Sequence, residues 1–419
     1  MSYRTLDDLA GGQRVLARLD LNSPVSVGVV QDNRRFSRHA ETVTDLIEAD
    51  HRVALLAHQG RPGRDTFLPL EQHADILADH IDRHVEHIPD TFGLTARDAI
   101  EALDPGEVIL LENTRMTDDE LPERDPAAHV DSEFVRTLAP MFDAYIGDAY
   151  SAAHRRHASI VGLPTVMDAY AGRVMANEYE ANSAIATQEF DGEVTMVAGG
   201  KKATDVIGVM AAMQDRVDNF LLAGVVGELF LRAVGYDVGR DIDEDDVYES
   251  QWRANRDRIR SLVENHPSSL VFPSDLAYAD ENDERAEDTV ADVRNKDHDY
   301  RDIGADTVSQ FSEIAGNSAA VFVKGALGVF EDERFSTGTV QLLEAIGRSD
   351  AFSVVGGGDT SRAIGMYDMD EAEFSHVSIA GGAYINALTG DPLPGVEVLR
   401  RDHVRSRNIV QDQARERTD

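Results

Sequence analysis

Short apolar runs alternate with longer amphipathic segments along most of the chain. Each run is followed by a turn and then by a helical pattern, and this alternation predicts parallel strands covered by helices on both faces. The predicted strands are Val15–Leu19, Val53–Ala57, Val108–Leu111, Ala144–Ile146, Val194–Ala198, Phe220–Leu222, Leu270–Phe272, Ala319–Val323 and Phe352–Val355. The pattern therefore predicts an α/β protein built on doubly wound parallel sheets.

A helical segment, Val174–Ala186, separates the first four predicted strands from the last five. Two doubly wound lobes of similar size, each with a parallel central sheet, are therefore expected on either side of this helix. The predicted boundaries are an N-terminal lobe at 1–173, a bridging helix at 174–190, a C-terminal lobe at 191–395 and a tail at 396–419.

The chain is strongly acidic. It has 77 Asp and Glu residues against 40 Lys and Arg, a formal net charge of −37, while 42% of its residues are hydrophobic and supply a core. An acidic surface repels nucleic acid and anionic membranes, so we expect neither as a partner. Two acidic stretches, Asp237–Asp246 and Asp280–Asp302, are predicted to be solvated loops, because they lack the spacing and the fixed glycine of a calcium loop.

Other classes of protein are excluded by what the sequence lacks. The absence of cysteine excludes disulfides and thiolate chemistry. No signal peptide begins the chain and no uncharged run approaches the ~18 residues of a membrane span, so we predict a soluble, cytoplasmic protein. Positive charge is almost entirely arginine, with four lysines. This composition resembles that of proteins from cells that hold molar salt, in which charges are screened over about 3 Å.

Basic and polar residues follow each predicted strand of the first lobe. Since ligands of doubly wound sheets bind beyond the carboxyl ends of the strands, these residues are candidates for a binding site. Arg34 and Arg35, in the loop before a predicted helix at Arg38–Ala49, add to them. The candidates are Asp20, Leu21, Asn22, Arg35, His58, Gln59, Gly60, Arg61, Arg115 and Arg155. Arginine binds phosphate and carboxylate bidentately, so the sequence predicts a small, polyanionic ligand here.

Glycine turns follow the strands of the second lobe. Glycines let backbone N–H groups approach a phosphate at the positive end of a helix, and the accompanying lysines and carboxylates suit a nucleotide with its metal ion. The candidates are Gly200, Lys201, Lys202, Lys324, Glu331, Gly356, Gly357, Gly358, Asp359 and Thr360, with Asp359 as the ligand of Mg²⁺. The spacing is not that of a Walker P-loop.

Seven ordered motifs resemble those of the phosphoglycerate kinase family over essentially the whole chain. They are Arg-Leu-Asp-Leu-Asn-Ser-Pro, His-Gln-Gly-Arg-Pro, Leu-Leu-Glu-Asn-Thr-Arg, Ala-His-Arg, Gly-Gly-Lys-Lys, Gly-Val-Phe-Glu and Gly-Gly-Gly-Asp-Thr. The His-Gln-Gly variant is similar to that of the archaeal branch.

The resemblance implies a monomeric kinase that reversibly transfers the acyl phosphate of 1,3-bisphosphoglycerate to MgADP, giving 3-phosphoglycerate and MgATP. It implies that the N-terminal lobe binds the phosphoglycerate, that the C-terminal lobe binds the nucleotide, that the bridging helix is a hinge, and that the tail returns to the N-terminal lobe. Arg35 is expected to lie nearest the transferring group. The catalytic set that the resemblance implies is Arg35, Lys202, Gly381 and Gly382.

Three departures from the family pattern leave an alternative open. Val206 stands where many members carry a second lysine, Lys324 replaces the asparagine of an Asn-Gly-Pro motif, and a late Ser-Thr-Gly-Gly-Gly-Ala is Ser378–Ala383 with one hydroxyl and one glycine fewer. Lys324 is a candidate for supplying the missing charge. The alternative is a paralogue that binds nucleotide or phosphoglycerate without turnover.

Overall fold

The structure is a computed structural model that describes residues 3–236, 238, 247–293 and 298–400. The chain divides into two compact units. Unit 1 comprises Met1–Glu180 and the described part of Pro392–Asp419, and unit 2 comprises Ala181–Asp391. The predicted acidic loop at 237–246 and the predicted tail beyond residue 400 lie outside the described residues, Val238 excepted.

Unit 1 is built on a parallel sheet. Its strands are β1 (Arg14–Arg18), β2 (Val25–Ser26), β3 (Val29–Val30), β4 (Arg52–Leu56), β5 (Glu86–Ile88), β6 (Val108–Leu111), β7 (Ala144–Gly147) and β8 (Ala169–Ala171). Six of them form one parallel sheet in the order β5-β6-β4-β1-β7-β8, while β2 and β3 form a small antiparallel hairpin. The central strands are buried along almost their whole length, as expected of a sheet covered on both faces.

α-Helices accompany this sheet. They are α1 (Arg34–Glu48), α2 (Glu71–Ile81), α3 (Leu94–Ala102), α4 (Pro126–His129), α5 (Glu133–Leu138), α6 (Leu163–Val166) and α7 (Arg173–Thr187), the last of which continues into unit 2. The apolar face of α1, which includes Phe36, Val43 and Leu46, packs into the core under β1 and β4. Asn33 caps this helix, since its side chain accepts a hydrogen bond from the amide of Arg35 at 3.0 Å.

Unit 2 repeats the parallel architecture. Its strands are β9 (Val194–Ala198), β10 (Asn219–Leu222), β11 (Leu270–Val271), β12 (Asp275–Ala279), β13 (Arg285–Thr289), β14 (Asp302–Ile303), β15 (Ala320–Lys324), β16 (Phe352–Gly356) and β17 (His376–Val377). The parallel sheet has the order β11-β10-β9-β15-β16-β17, and an antiparallel sheet has the order β13-β12-β14. The two parallel sheets confirm the predicted α/β fold.

The helices of unit 2 follow its strands in sequence. They are α8 (Ala203–Met213), α9 (Gly224–Ala233), α10 (Val247–Asn265), α11 (Ala305–Gly316), α12 (Thr337–Gly347), α13 (Gly358–Met366) and α14 (Gly382–Thr389), and α15 (Pro394–Glu397) follows in unit 1. Among the described residues, no helix is both long and apolar enough to cross a membrane.

Two sequence predictions are wrong in their local structure. Arg34 and Arg35 lie in the first turn of α1 rather than in a loop, because the helix begins four residues before the predicted start, directly after its Asn33 cap. The acidic stretch from Asp280 to Asp302 is not simply a solvated loop, since it contains β13 and the start of β14. Its carboxylates have a partner there, because Arg285 donates to Oδ2 of Asp302 at 3.0 Å and to Glu287 at 2.8 Å.

Candidate active site

The carboxyl ends of four neighbouring strands form the first part of the candidate site. The strands β6, β4, β1 and β7 lie side by side and parallel, so the residues that follow them share one edge of the sheet. We call this set in unit 1 the basic edge: Asp20, Asn22, Arg35, His58, Arg61, Arg115 and Arg155.

Asp20 and Arg35 form an ion pair at the basic edge. Asp20 is 3% exposed, and its Oδ2 accepts hydrogen bonds from Arg35 Nη1 and from the hydroxyl of Ser151. Burial by itself would raise the pKa of Asp20, but the Arg35 guanidinium, together with hydrogen bonds from the Ser151 hydroxyl and the Asn22 amide, holds that pKa far below its usual range. The carboxylate is therefore ionised, and it positions the guanidinium at the end of β1.

His58 lies between Asp20 and a buried arginine, Arg18. It is 5% exposed, and its Nδ1 is 3.1 Å from Nη2 of Arg18 and 3.8 Å from Oδ1 of Asp20. Burial lowers the pKa of His58 well below its usual value despite the nearby Asp20 carboxylate, and the neighbouring arginines add to this effect. The imidazole is therefore neutral near pH 7.

The loop after β4 connects Asn22 to Arg115. The amide of Gly60 donates to Oδ1 of Asn22 at 2.8 Å, and its carbonyl accepts from Nη1 of Arg115 at 2.5 Å. Gly60 has a φ of 65°, and a Cβ there would collide with the carbonyl of Thr66, so this turn requires glycine. Burial, together with nearby arginines, lowers the pKa of Arg115 to about 10, which leaves it protonated.

Two arginines form the outer part of the basic edge. Arg61 is exposed, and the Arg155 side chain is 37% exposed with Nη1 3.4 Å from Oε1 of Glu123. A pair this exposed is weak, so an incoming anion competes readily for the guanidinium.

Two predicted contact residues lie beneath the basic edge instead of on it. Gln59 is fully buried, and its side-chain amide is bonded to Ser23, Thr66 and His73. Leu21 is fully buried as well. These two side chains therefore point into the protein interior. From there they support the backbone that carries Asn22 and Gly60.

The strands of unit 2 bring a second set of predicted residues together. Because β9, β15 and β16 are adjacent and parallel, the turns after them meet at one edge. We call this set the glycine edge: Gly200, Lys201, Lys202, Lys324, Glu331, Gly356, Gly357, Gly358, Asp359 and Thr360.

Backbone packs directly on backbone where the first two turns meet. The amide of Gly199 donates to the carbonyl of Lys324 at 2.9 Å, and that of Gly200 donates to the carbonyl of Ala326 at 2.7 Å. A Cβ on Gly325, whose φ is 90°, would collide with the Gly199 carbonyl, and one on Gly199 would collide with Ala326. The contact therefore tolerates no side chain at position 199 or at position 325.

A cavity of about 330 Å³ opens beside these turns, within the range of small-ligand pockets. Leu276, Tyr300, Leu327 and Phe330 give it apolar walls. Its polar lining includes Lys201, Glu228, Arg301, Asp302, Glu331 and Asp359, and Gly200, Gly224 and Gly328 add backbone surface. A lining that combines apolar and polar side chains suits a base and its sugar phosphate.

Lysines of the glycine edge lie beside helix N-termini. Lys202 immediately precedes α8, and Lys324 ends β15 with its Nζ 5.5 Å from the centre of the Tyr384 ring. Burial lowers the pKa of Lys324, Asp205 and Asp359 oppose that shift, and Lys202 adds to it. Lys324 and Lys202 therefore lie close together, an arrangement that favours an anionic ligand between them.

The third turn joins β16 to α13. Gly357 has a φ of 107°, and the fully buried Thr360 donates its hydroxyl to the carbonyls of Gly356 and Gly357 at 2.8 and 3.1 Å. Asp359 is exposed in the first turn of α13. The Thr360 hydroxyl therefore holds the turn from within, while the Gly358 amide and Asp359 face outwards.

The last predicted catalytic glycines begin a helix. Gly381 immediately precedes α14 and Gly382 is its first residue, and both are exposed. The hydroxyl of Ser378 accepts from the amide of Ala380 at 3.1 Å, which fixes the chain just before this helix. Gly381 and Gly382 thus lie at the N-terminus of a helix, the end that favours an anion.

Sequence reasoning missed three residues that shape the site. Ser151 bonds to both Asp20 and Arg35. The Tyr384 ring covers Gly356 so closely that a Cβ on Gly356 would collide with that ring. Arg362 forms an ion pair with Glu331. Ser151 follows a predicted strand and was open to detection by the same rule as its neighbours. Tyr384 and Arg362 come from helix interiors, where the sequence carries no such signal.

Comparisons with known proteins agree on one family. The family model described as phosphoglycerate kinase matches residues 6–391. Phosphoglycerate kinase of Halorubrum lacusprofundi is 63% identical over 398 residues, covering 95% of this chain and 98% of its own. That of Haloarcula marismortui is 63% identical over 401 residues, covering 96% of this chain and all of its own.

Solved structures give the same result. The crystal structure of phosphoglycerate kinase from Pyrococcus horikoshii OT3 superposes with a TM-score of 0.87 at 30% identity, over 95% of this chain and 98% of its own. The structure of phosphoglycerate kinase from Coxiella burnetii gives a TM-score of 0.79 at 29% identity, over 95% and 99%. The similarity therefore extends through both units.

Proposed function

Since the chain belongs to the phosphoglycerate kinase family, we propose that its two strand-end sets divide the reaction, the basic edge binding phosphoglycerate and the glycine edge binding nucleotide. The chain is a phosphotransferase that reversibly transfers the acyl phosphate of 1,3-bisphosphoglycerate to ADP, giving 3-phosphoglycerate and ATP. The single observation that carries the division is that arginines follow β4, β6 and β7 of unit 1, while glycine turns follow β9, β15 and β16 of unit 2.

Unit 1 suits a ligand with a phosphate, a carboxyl group and a hydroxyl. Arg61, Arg115 and Arg155 supply guanidinium groups for the phosphate, while Asp20 and Asn22 suit a hydroxyl. The neighbouring His58 adds one more polar contact. Arg35, fixed by the ionised Asp20, is placed to neutralise the acyl phosphate as it leaves.

Unit 2 suits a nucleoside diphosphate. The cavity takes the base and ribose, with Glu331 as an acceptor for the ribose hydroxyls. The phosphates extend to the starts of α8 and α13, where Lys202 and the Gly358 amide meet them. Lys201, Gly200 and Gly357 complete the set, and the first-turn amides of Gly381 and Gly382 suit the transferring phosphate.

Asp359 is the residue that would hold Mg²⁺. It is an exposed carboxylate at the wall of the cavity, beside the proposed phosphate position. Mg²⁺ with a nucleotide needs only one or two carboxylates, since phosphates and water complete its octahedron. This fits the described residues, which contain no cluster of three or more His, Asp or Glu side chains suited to a metal. Held by Asp359, the ion would supply positive charge that neutralises the phosphates of the nucleotide.

A coupled assay in molar KCl tests the proposed division of ligands. ATP-dependent turnover of 3-phosphoglycerate should require Mg²⁺, and Asp359→Asn should raise the Mg²⁺ concentration needed for half-maximal rate. His58→Gln should raise KM for 3-phosphoglycerate alone. Binding of both ligands without turnover would instead indicate the non-catalytic paralogue, and an unchanged Mg²⁺ requirement in Asp359→Asn would contradict the metal assignment.

Lys324 is proposed to replace the charge that Val206 lacks. Val206 is 2% exposed in the first turn of α8 and offers no donor, whereas Lys324 lies near Lys202 and Asp359 from the neighbouring strand end. Lys324→Asn should therefore lower kcat about tenfold or more and raise KM for the nucleotide, because one phosphate cation is lost.

The restoring variant sharpens this test. Val206→Lys combined with Lys324→Asn should regain part of the lost rate, since the cation returns from α8. The hypothesis fails if Lys324→Asn keeps both its nucleotide affinity and its rate.

We propose that α7 acts as a hinge. Its residues up to Glu180 belong to unit 1 and those from Ala181 to unit 2, and the chain returns to unit 1 after Asp391. Reacting groups bound to different units must come within about 3–3.5 Å for transfer. Each ligand alone shifts an open–closed equilibrium only by its differential affinity for the two states.

Small-angle scattering in molar KCl should show full compaction only with 3-phosphoglycerate and a magnesium nucleotide together. Full compaction with one ligand would contradict the proposal.

A further inference from the structure

Arg18 is a buried cation beneath the basic edge. It ends β1 and is 1% exposed. Its Nε donates to the hydroxyl of Ser159 at 2.8 Å, its Nη1 donates to the carbonyl of Leu19, and its Nη2 lies 3.9 Å from Oε1 of the fully buried Glu120. These contacts fix the guanidinium plane, so the remaining donor of Nη2 has a defined direction.

That donor meets Nδ1 of His58. The two atoms are 3.1 Å apart, within hydrogen-bond distance, whereas the Asp20 carboxylate oxygen lies 3.8 Å from the same Nδ1. The two neighbours make opposite demands on the imidazole. A guanidinium only donates and requires a bare Nδ1, while a carboxylate only accepts and requires a protonated one. The shorter contact favours the bare Nδ1.

The neutral imidazole must then carry its proton on Nε2. No described residue forms a hydrogen bond with Nε2, and that atom is not sealed from solvent. The charged groups that face His58 are Asp20 and Arg18 from the first strand end, Arg35 from α1 and Arg115 from beyond β6. Three of the four are cations, which disfavour a second proton on the ring.

We propose that Arg18 is a positioning residue that fixes His58 in the tautomer with its proton on Nε2, so that the imidazole donates a hydrogen bond to the anionic ligand of the basic edge. This rests on the proposed assignment of His58 to the phosphoglycerate site. The arginines supply the charge of the site, and His58 supplies a neutral donor whose strength does not change across the pH range in which a free histidine titrates, about 5 to 8.

Nitrogen NMR of the full chain labelled with ¹⁵N-histidine tests the tautomer without any ligand. The His58 signals are identified by their loss in His58→Gln. We expect a protonated Nε2 and a bare Nδ1 that do not change between about pH 5 and pH 8. A proton on Nδ1, or a doubly protonated ring in this range, would overturn the inference.

The variant Arg18→Met with Glu120→Gln tests the role of Arg18, because it removes the buried cation together with its buried counter-charge. We expect a proton on Nδ1 in a substantial fraction of molecules, now directed to Asp20, and KM for 3-phosphoglycerate raised about tenfold. The ratio of variant to wild-type KM should change with pH, and taking the ratio removes the titration of the ligand's own phosphate. The single variant Arg18→Lys keeps a donor beside His58, so it should retain the wild-type tautomer.

An unchanged tautomer in the double variant would show that Arg18 does not determine it. The wild-type spectrum decides which tautomer His58 adopts even if that variant does not fold. If the tautomer is as expected but His58→Gln leaves KM for 3-phosphoglycerate unchanged, the inference about Arg18 stands and the proposed role of His58 in binding fails.

Discussion

Lys202→Ala is expected to lower kcat by about 10²–10³-fold while changing KM for the nucleotide much less. Phosphoryl transfer offers a protein little covalent work, so its rate depends on alignment and on cations placed where charge spreads over the transferring oxygens. Lys202 immediately precedes α8 and is close enough to Lys324 to lower the pKa of that ammonium. We therefore expect the Lys202 ammonium to lie at the phosphate end of the glycine edge.

Lys201→Ala is the matched control. Lys201 lines the cavity proposed for the nucleotide, so we expect its ammonium to contribute to nucleotide binding. Steady-state kinetics in molar KCl should show a raised KM for ADP in Lys201→Ala, with kcat reduced far less than in Lys202→Ala. An unchanged kcat in Lys202→Ala would remove that residue from the mechanism.

Arg35→Met is expected to lower kcat by about 10³-fold, the lower end of the effect of arginines that neutralise a transferring phosphoryl group. Arg35 lies in the first turn of α1, and Asp20 and Ser151 hold its Nη1. Arg35→Lys should recover only part of the rate, because an ammonium lacks the planar fork. The measurement is single-turnover transfer with both substrates saturating.

Loss of Arg35 also deprives the buried Asp20 of its cation, and a control separates the two effects. Ser151→Ala removes a hydroxyl that bonds to both Asp20 and Arg35, but it keeps the Arg35 guanidinium itself. We expect Ser151→Ala to reduce kcat less than tenfold. Equal losses in Ser151→Ala and Arg35→Met would attribute the effect to the Asp20–Arg35–Ser151 contacts and not to the Arg35 charge, and a fully active Arg35→Met would show that another cation neutralises the phosphate.

Much of the fold was predictable because its strands are short, buried apolar runs. The strand Val194–Ala198 was predicted with its observed ends, and the helix Val174–Ala186 falls one residue short at each end. Prediction failed where burial did not determine the pattern. The sequence of Arg285–Thr289 predicts a solvated acidic segment. In the structure it is a strand, because it pairs with β12 and Arg285 forms ion pairs with neighbouring carboxylates.

The candidate site was predictable to the extent that the order of parallel strands brings their ends together. Asp20 and His58 were identified in this way, whereas Arg35 was added from the segment before a predicted helix, and the structure places both Arg35 and His58 beside Asp20. The rule gives the position of a residue along the chain but not the direction of its side chain. It therefore did not separate Gln59, which is buried under the loop, from its neighbour His58.

The contact between the turns at Gly199 and Gly325 has a consequence for how this protein can diverge. Each residue is excluded from bearing a side chain by carbonyl groups of the other turn. A side chain that clashes with another side chain can be rescued by a second substitution, but no substitution removes a carbonyl. Both glycines should therefore be recovered unchanged from a library that randomises the two positions at once. Over evolution, we expect these two positions to stay glycine while the lysines on either side of them are substituted.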